Sequence, residues 1–159
     1  MQLAAINPAE VEGFLAGALA RFVDDLVAAG ELGRADAEAR TKALLAGILP
    51  RGAATPGPHF RRMRAGGAPV GFVWFAEQLG ETPPRIYIYD IIVDDAARGR
   101  GHGTAALALV EEEARARGAR QVMLSVFTHN EGAVRLYERL GYEPCERGGA
   151  GMRMAKPLP

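Results

Sequence analysis

Between Arg98 and Thr104 the chain reads Arg-Gly-Arg-Gly-His-Gly-Thr, three glycines and two arginines just ahead of a stretch with helical periodicity. The first N–H groups of a helix have no partner inside it and carry partial positive charge. Glycines let a diphosphate come within hydrogen-bonding distance of them. The sequence therefore predicts an anion cradle built from the backbone of Gly99, Gly101, His102, Gly103 and Thr104, with Arg98 and Arg100 adding charge at its rim. Taken alone, such a loop reads equally well as a solvated glycine turn. Other phosphate loops fit less well. A dinucleotide fingerprint wants a glycine where Thr104 stands and an acidic residue closing the second strand, a Walker loop wants a lysine, and a kinase glycine loop lies inside a hairpin.

Asp90 is the second residue with chemical potential. It interrupts an apolar strand face shared with Ile88 and Ile92, so it faces either the core or, if a bulge re-aims it, a cleft. A lone buried carboxylate is costly, which favours a structural hydrogen bond or orientation towards a cationic or amine group. His59, His102 and His129 are too scattered for a metal constellation, and Cys145 has no partner that would mark it as a nucleophile.

The elements that must position these residues follow from periodicity and punctuation. Asn7-Pro8-Ala9-Glu10 predicts a capped helix start, Val11, Phe14, Leu15, Ala18, Leu19, Phe22, Val23 and Leu26 form its apolar stripe, and Gly30 ends it. A second helix is expected over 34–48 with Ala39, Ala43, Leu44 and Ile48 inward. His59 to Arg64 and Val70 to Phe75 predict a hairpin around Gly66-Gly67, and Gly71 marks a close approach. The β-branched and aromatic run Arg85 to Val93 is too apolar for an edge and belongs at the centre of a sheet. After it come a helix from Thr104 to Arg117, a strand from Gln121 to Phe127 and a helix from Asn130 to Leu140 stopped by Gly141. In the first of these helices Ala105, Leu107, Ala108, Val110 and Ala114 are expected inward and Glu111, Glu112 and Glu113 outward. A hairpin of Tyr142 to Glu146 with Met152 to Lys156 closes the chain.

Composition bounds the rest. A chain of 159 residues with 48% apolar and 24% charged residues suits one globular domain with its own core. Nineteen basic against 19 acidic residues argue against a nucleic-acid or membrane surface as the main partner, and no apolar run approaches the roughly 20 residues of a membrane helix. A single cysteine and an N-terminus unlike a secretory signal suggest a cytoplasmic protein.

Two segments carry a family resemblance. Arg98-x-x-Gly101-x-Gly103 after an apolar strand resembles the acyl-coenzyme A pyrophosphate loop of the GNAT superfamily of N-acetyltransferases. Asn130 to Tyr142, Asn-Glu-Gly-Ala-Val-Arg-Leu-Tyr-Glu-Arg-Leu-Gly-Tyr, resembles the segment that follows strand five in that superfamily, and one helix and one strand separate the two motifs as expected. The resemblance covers Val70 to Lys156. It implies an α/β (α+β) fold: a mixed, mostly antiparallel sheet splayed between its central strands and flanked by helices. The whole of 1–159 would be one N-acetyltransferase domain, with 70–156 as the acetyl-CoA-binding core and the helical 1–50 on the substrate side. The pantetheine arm would lie in the splay like a missing strand, against the backbone of Ile91 and Val93, with Asn130 and Ala133 of the second motif also at the cofactor.

The implied activity is transfer of the acetyl group of acetyl-CoA to a primary amine by direct attack in a ternary complex, without a metal. Tyr137, matching the superfamily's tyrosine, would lie near the sulfur as general acid, and Asp90, or more weakly Glu77, would take a proton from the amine. The implied partners are acetyl-CoA and an amine acceptor, a small molecule or a protein. A homodimer is compatible with the resemblance, whereas nucleic acid and membrane are not expected. The competing reading is a non-catalytic acyl-CoA-binding sensor or interaction module with the same fold.

Overall fold

In the computed structural model, which describes residues 1–159, seven strands form one sheet. They are β1 (Gln2–Ala5), β2 (His59–Ala65), β3 (Ala68–Gln78), β4 (Arg85–Val93), β5 (Gln121–Phe127), β6 (Glu143–Gly148) and β7 (Gly151–Pro157), in the order β1-β2-β3-β4-β5-β7-β6. Every neighbouring pair is antiparallel except β4 and β5, which run parallel. A parallel pair needs a crossover, and α3 (His102–Ala116) supplies it; α4 (Glu131–Arg139) links β5 to β6. This mixed α/β arrangement, mostly antiparallel and open, has the central β4 expected from its β-branched run.

Alternation along the strands sorts the two faces. Val73, Phe75, Ile86, Ile88, Val122, Leu124 and Met154 form one cluster with Leu107, Val110 and Ala114 of α3 and Tyr137 of α4. On the other face Phe60, Trp74 and Tyr89 stack, with ring centroids 5.4 Å apart for the first pair and 4.8 Å for the second.

Two compact units make up the chain, Met1–Ala5 with Gly57–Pro159, and Ile6–Pro56. The second holds α1 (Pro8–Ala28) and α2 (Arg34–Ile48). The capping box expected at Asn7 is present: the Glu10 amide donates to Asn7 Oδ1 at 2.9 Å and the Asn7 amide to Glu10 Oε2 at 3.3 Å. Gly30 lies just past the helix at φ +76°, the left-handed stop its type predicts.

Three expectations need correcting. The inward face of α2 carries Ala37 and Thr41; Ala39, Ala43 and Leu44 are exposed, Leu44 at 50%, and only Ile48 of the expected set is half-buried. Alanines all round that helix leave no apolar stripe to fix its rotation. On α3, Ala108 is exposed, while Glu111, expected outward, is only 6% exposed. Strand β1 was not expected; its four residues have no strand pattern of their own and take their order from β2, where Leu3 pairs with Met63.

Candidate active site

Beyond Val93 a single turn of 3-10 helix, Asp95–Ala97, leads into the glycine loop. Gly99 lies at φ +74° and Gly101 at φ +77°, conformations that cost an L-residue with a side chain roughly 1–2 kcal/mol. Helix α3 starts at His102, two residues earlier than expected, so His102, Gly103 and Thr104 form its first turn. Gly101 is its N-cap and no side chain caps it. The first amides are therefore left for a ligand or solvent. Gly103 faces inward, where an added Cβ would touch Leu136 and Val93 at 3.6 and 3.8 Å. The rim arginines differ. Arg100 is exposed, whereas Arg98 is held back: its Nε donates to the Val93 carbonyl at 3.2 Å and its Nη2 pairs with Asp95 at 2.8 Å.

The loop sits at the open end of a parting in the sheet. Strands β4 and β5 pair from Arg85↔Gln121 to Ile88↔Leu124 and no further. Past that point β4 stays with β3 up to Gly71↔Val93, and β5 stays with β7 up to Phe127↔Gly151. The backbone groups that Tyr89 to Val93 direct away from β3 thus have no strand beside them, and buried groups of that kind call for a partner. Ile91 and Val93, both half-buried, lie on this segment. The tight seam between β3 and β4 is made by Gly71, where a Cβ would fall 2.1 Å from the Ile92 carbonyl oxygen.

A bulge re-aims Asp90. Phe75 pairs with Ile88 and Trp74 with Asp90, leaving Tyr89 without a partner on β3. Asp90 therefore shares the Trp74 face and not that of Ile88. Trp74 is 4% exposed and its indole N–H has no acceptor. The sequence suggested only a core residue or a cleft wall here, because an orphan donor shows only once its neighbours are in place.

Tyr137 lies on α4 among the core side chains, 8% exposed. Burial pushes its phenol up to about 12, and the negative charge of Asp90 adds to the rise. The two candidate chemical residues are therefore brought together, one from each face, where β4 and β5 separate. Helix α4 begins at Asn130, whose Oδ1 caps the Ala133 amide at 3.4 Å, and Ala133 packs against the core. It ends in a Schellman turn: the Tyr142 amide donates to the Tyr137 carbonyl and the Gly141 amide to the Glu138 carbonyl, both at 3.0 Å, with Gly141 at φ +91°. The Tyr137 and Tyr142 rings meet edge to face with centroids 5.8 Å apart.

Glu77 does not join Asp90. It pairs with Ile86, in the closed part of the sheet, 3.0 Å from His59 Nε2 and 2.5 Å from Arg117 Nη1. The hydrogen bond with His59 and then the Arg117 guanidinium hold its carboxyl below the usual range, against the opposing effect of burial. A carboxylate so engaged is a structural anchor and a poor base. His102 sits in the first turn of α3, His129 packs against Phe127, and Cys145 is exposed on β6.

Residues 26–142 match the Acetyltransferase (GNAT) family. An uncharacterised N-acetyltransferase of Bacillus subtilis, YycN, is 29% identical over 147 residues, covering 92% of this chain and 94% of YycN. The crystal structure of YycN, an acetyltransferase of Bacillus subtilis, matches with a TM-score of 0.86 at 28% identity, covering 92% of this chain and 94% of that one. PaiA N-acetyltransferase from Thermoplasma acidophilum, solved in complex with coenzyme A, shares the fold at a TM-score of 0.68 and 16% identity over 98% of each chain.

Proposed function

Because this chain belongs to the acetyltransferase (GNAT) family and is an acetyl-CoA-dependent acetyltransferase, we propose that it acetylates a primary amine by direct attack in a ternary complex, with Tyr137 as general acid and Asp90 receiving the amine's proton. The observation that carries this reading is the parting of β4 and β5 beyond Ile88↔Leu124, with the uncapped start of α3 at its open end. Residues 70–156 hold acetyl-CoA. The amides of Gly101, His102, Gly103 and Thr104 take the diphosphate with Arg100 at the rim, and the open backbone around Ile91 and Val93 pairs with the pantetheine amides.

Acetyl transfer from a thioester needs a neutral amine, a polarised carbonyl and a proton for the departing thiolate. A phenol raised to about 12 stays protonated at working pH and gives up its proton only as the sulfur gains charge. Asp90 supplies negative charge to attract a cationic amine and accepts its proton directly or through water.

Two measurements on the purified protein test the proposal. Acetyl-CoA is expected to raise the melting temperature, and a panel of amines read by free-thiol release is expected to contain at least one acceptor. Stabilisation by acetyl-CoA without thiol release on any amine of the panel would overturn the primary-amine reading.

A further inference from the structure

We infer that Glu111, acting through Tyr142, is a positioning residue for Tyr137, an inference that rests on the proposed role of Tyr137 as the acid. Glu111 stands on α3 at 6% exposure, where a carboxylate is expensive unless its oxygens are satisfied. Both are. Tyr142 Oη donates to Oε1 at 3.1 Å and Lys156 Nζ to Oε2 at 2.8 Å. The ammonium of Lys156 also lies 5.7 Å from the centroid of the Tyr142 ring. One carboxylate thus ties α3, β7 and Tyr142, three residues beyond the end of α4, to a single point.

What that point fixes is Tyr142, and Tyr142 is the closing residue of the Schellman turn that opens at Tyr137. Its amide holds the Tyr137 carbonyl and its ring edge packs against the Tyr137 ring. A helix-end contact of this kind usually needs only two apolar side chains. Here the outer one is a tyrosine with its hydroxyl pinned by a buried charge, more than packing requires. The pinned ring denies the Tyr137 ring the space on that side and so restricts where its hydroxyl can go. Tyr142 is 1% exposed, so it has no freedom to act on substrate itself.

Tyr142→Phe keeps the ring and deletes only the hydroxyl. It is expected to lower kcat between roughly 10- and 100-fold, the scale of a small misplacement of a reacting group, with KM for acetyl-CoA unchanged. In a Tyr137→Phe background the same substitution is expected to cost nothing further; an equal loss in both backgrounds would overturn the inference. Glu111→Gln retains an oxygen for the Tyr142 hydroxyl and is expected to keep most of kcat, whereas Glu111→Leu loses it. A readout independent of turnover is the ring spectrum of protein carrying carbon-13 tyrosine, whose four tyrosines are assigned by single substitutions. In Tyr142→Phe the Tyr137 signal is expected to shift or broaden while those of Tyr87 and Tyr89 hold. An unmoved Tyr137 signal overturns positioning whatever the activity. Wild-type kcat in Tyr137→Phe removes the acid assignment, and the spectrum still answers the positioning question.

Discussion

The carboxylate of Asp90 lies close enough to the Tyr137 phenol for its negative charge to add to burial in lifting that phenol to about 12. The electrostatic influence runs from a strand residue on one face of the sheet to a helix residue on the other. It reaches across the sheet where β4 and β5 have already parted, although the bulge at Tyr89 turns Asp90 away from the Ile88 face on which Tyr137 packs.

Tyr137→Phe deletes the proton donor with little change in shape. Turnover is expected to fall by roughly 10²- to 10⁴-fold, the usual contribution of a positioned acid, while the melting-temperature rise with acetyl-CoA is retained. Steady-state kinetics and thermal shift on the same preparation check both halves.

Asp90→Asn removes a negative charge that disfavours the phenolate. The Tyr137 pKa is then expected to fall while remaining above its ordinary value of 10, since burial is the larger cause. The alkaline limb of the kcat profile should move to lower pH, and kcat/KM for a cationic acceptor should drop. A profile whose alkaline limb stays in place would separate Asp90 from Tyr137.

At Gly101 an added Cβ meets nothing within 4 Å, yet φ is +77°. Gly101→Ala is therefore penalised by conformation alone, about 1–2 kcal/mol. If the loop relaxes to escape that strain, its amides turn away from the diphosphate. The expected result is a smaller melting-temperature rise at fixed acetyl-CoA, measured against the unliganded variant.

Gly71→Ala tests the seam between β3 and β4. Its Cβ would fall 2.1 Å from a backbone oxygen, so the two strands must separate to admit it. A loss of roughly 1–3 kcal/mol is expected, in the range of overpacked cores, visible as a lower urea midpoint with an unchanged slope.

Glu77 contributes stability that depends on pH. Its pKa in the folded protein lies below the ordinary 4.5, so its contribution is complete above that value and is lost as pH falls through the depressed one. Wild-type protein should weaken in this acid window more steeply than Glu77→Gln, as urea titrations between neutral and acid pH would show.

The legible parts of the fold were those fixed by neighbours in the chain. Asn7 and Glu10 cap each other across one turn, Gly71 announces a close approach, and Arg85 to Val93 is too apolar for an edge. At the site, the glycine loop ahead of α3 and the position of Tyr137 on α4 could be read from their segments. The bulge at Tyr89 could not, because it is a property of register between two strands. Nor could the burial of Glu111, whose partners Tyr142 and Lys156 come from the far end of the chain. The restraint of Arg98 by Val93 and Asp95 depends on the path of the loop and leaves no mark in composition.

Four residue pairs, Arg85↔Gln121 to Ile88↔Leu124, are all that stitches β4 to β5. The ladders on either side, β1 to β4 and β5 with β7 and β6, can each zip through antiparallel contacts, but the stitch must wait for the α3 crossover, since parallel pairing comes late. An empty protein should therefore be softest along its midline and firmest in its flanks. A thioester-bearing ligand laid in the cleft would act as a suture, giving the sheet a mechanical continuity that its own backbone leaves unfinished.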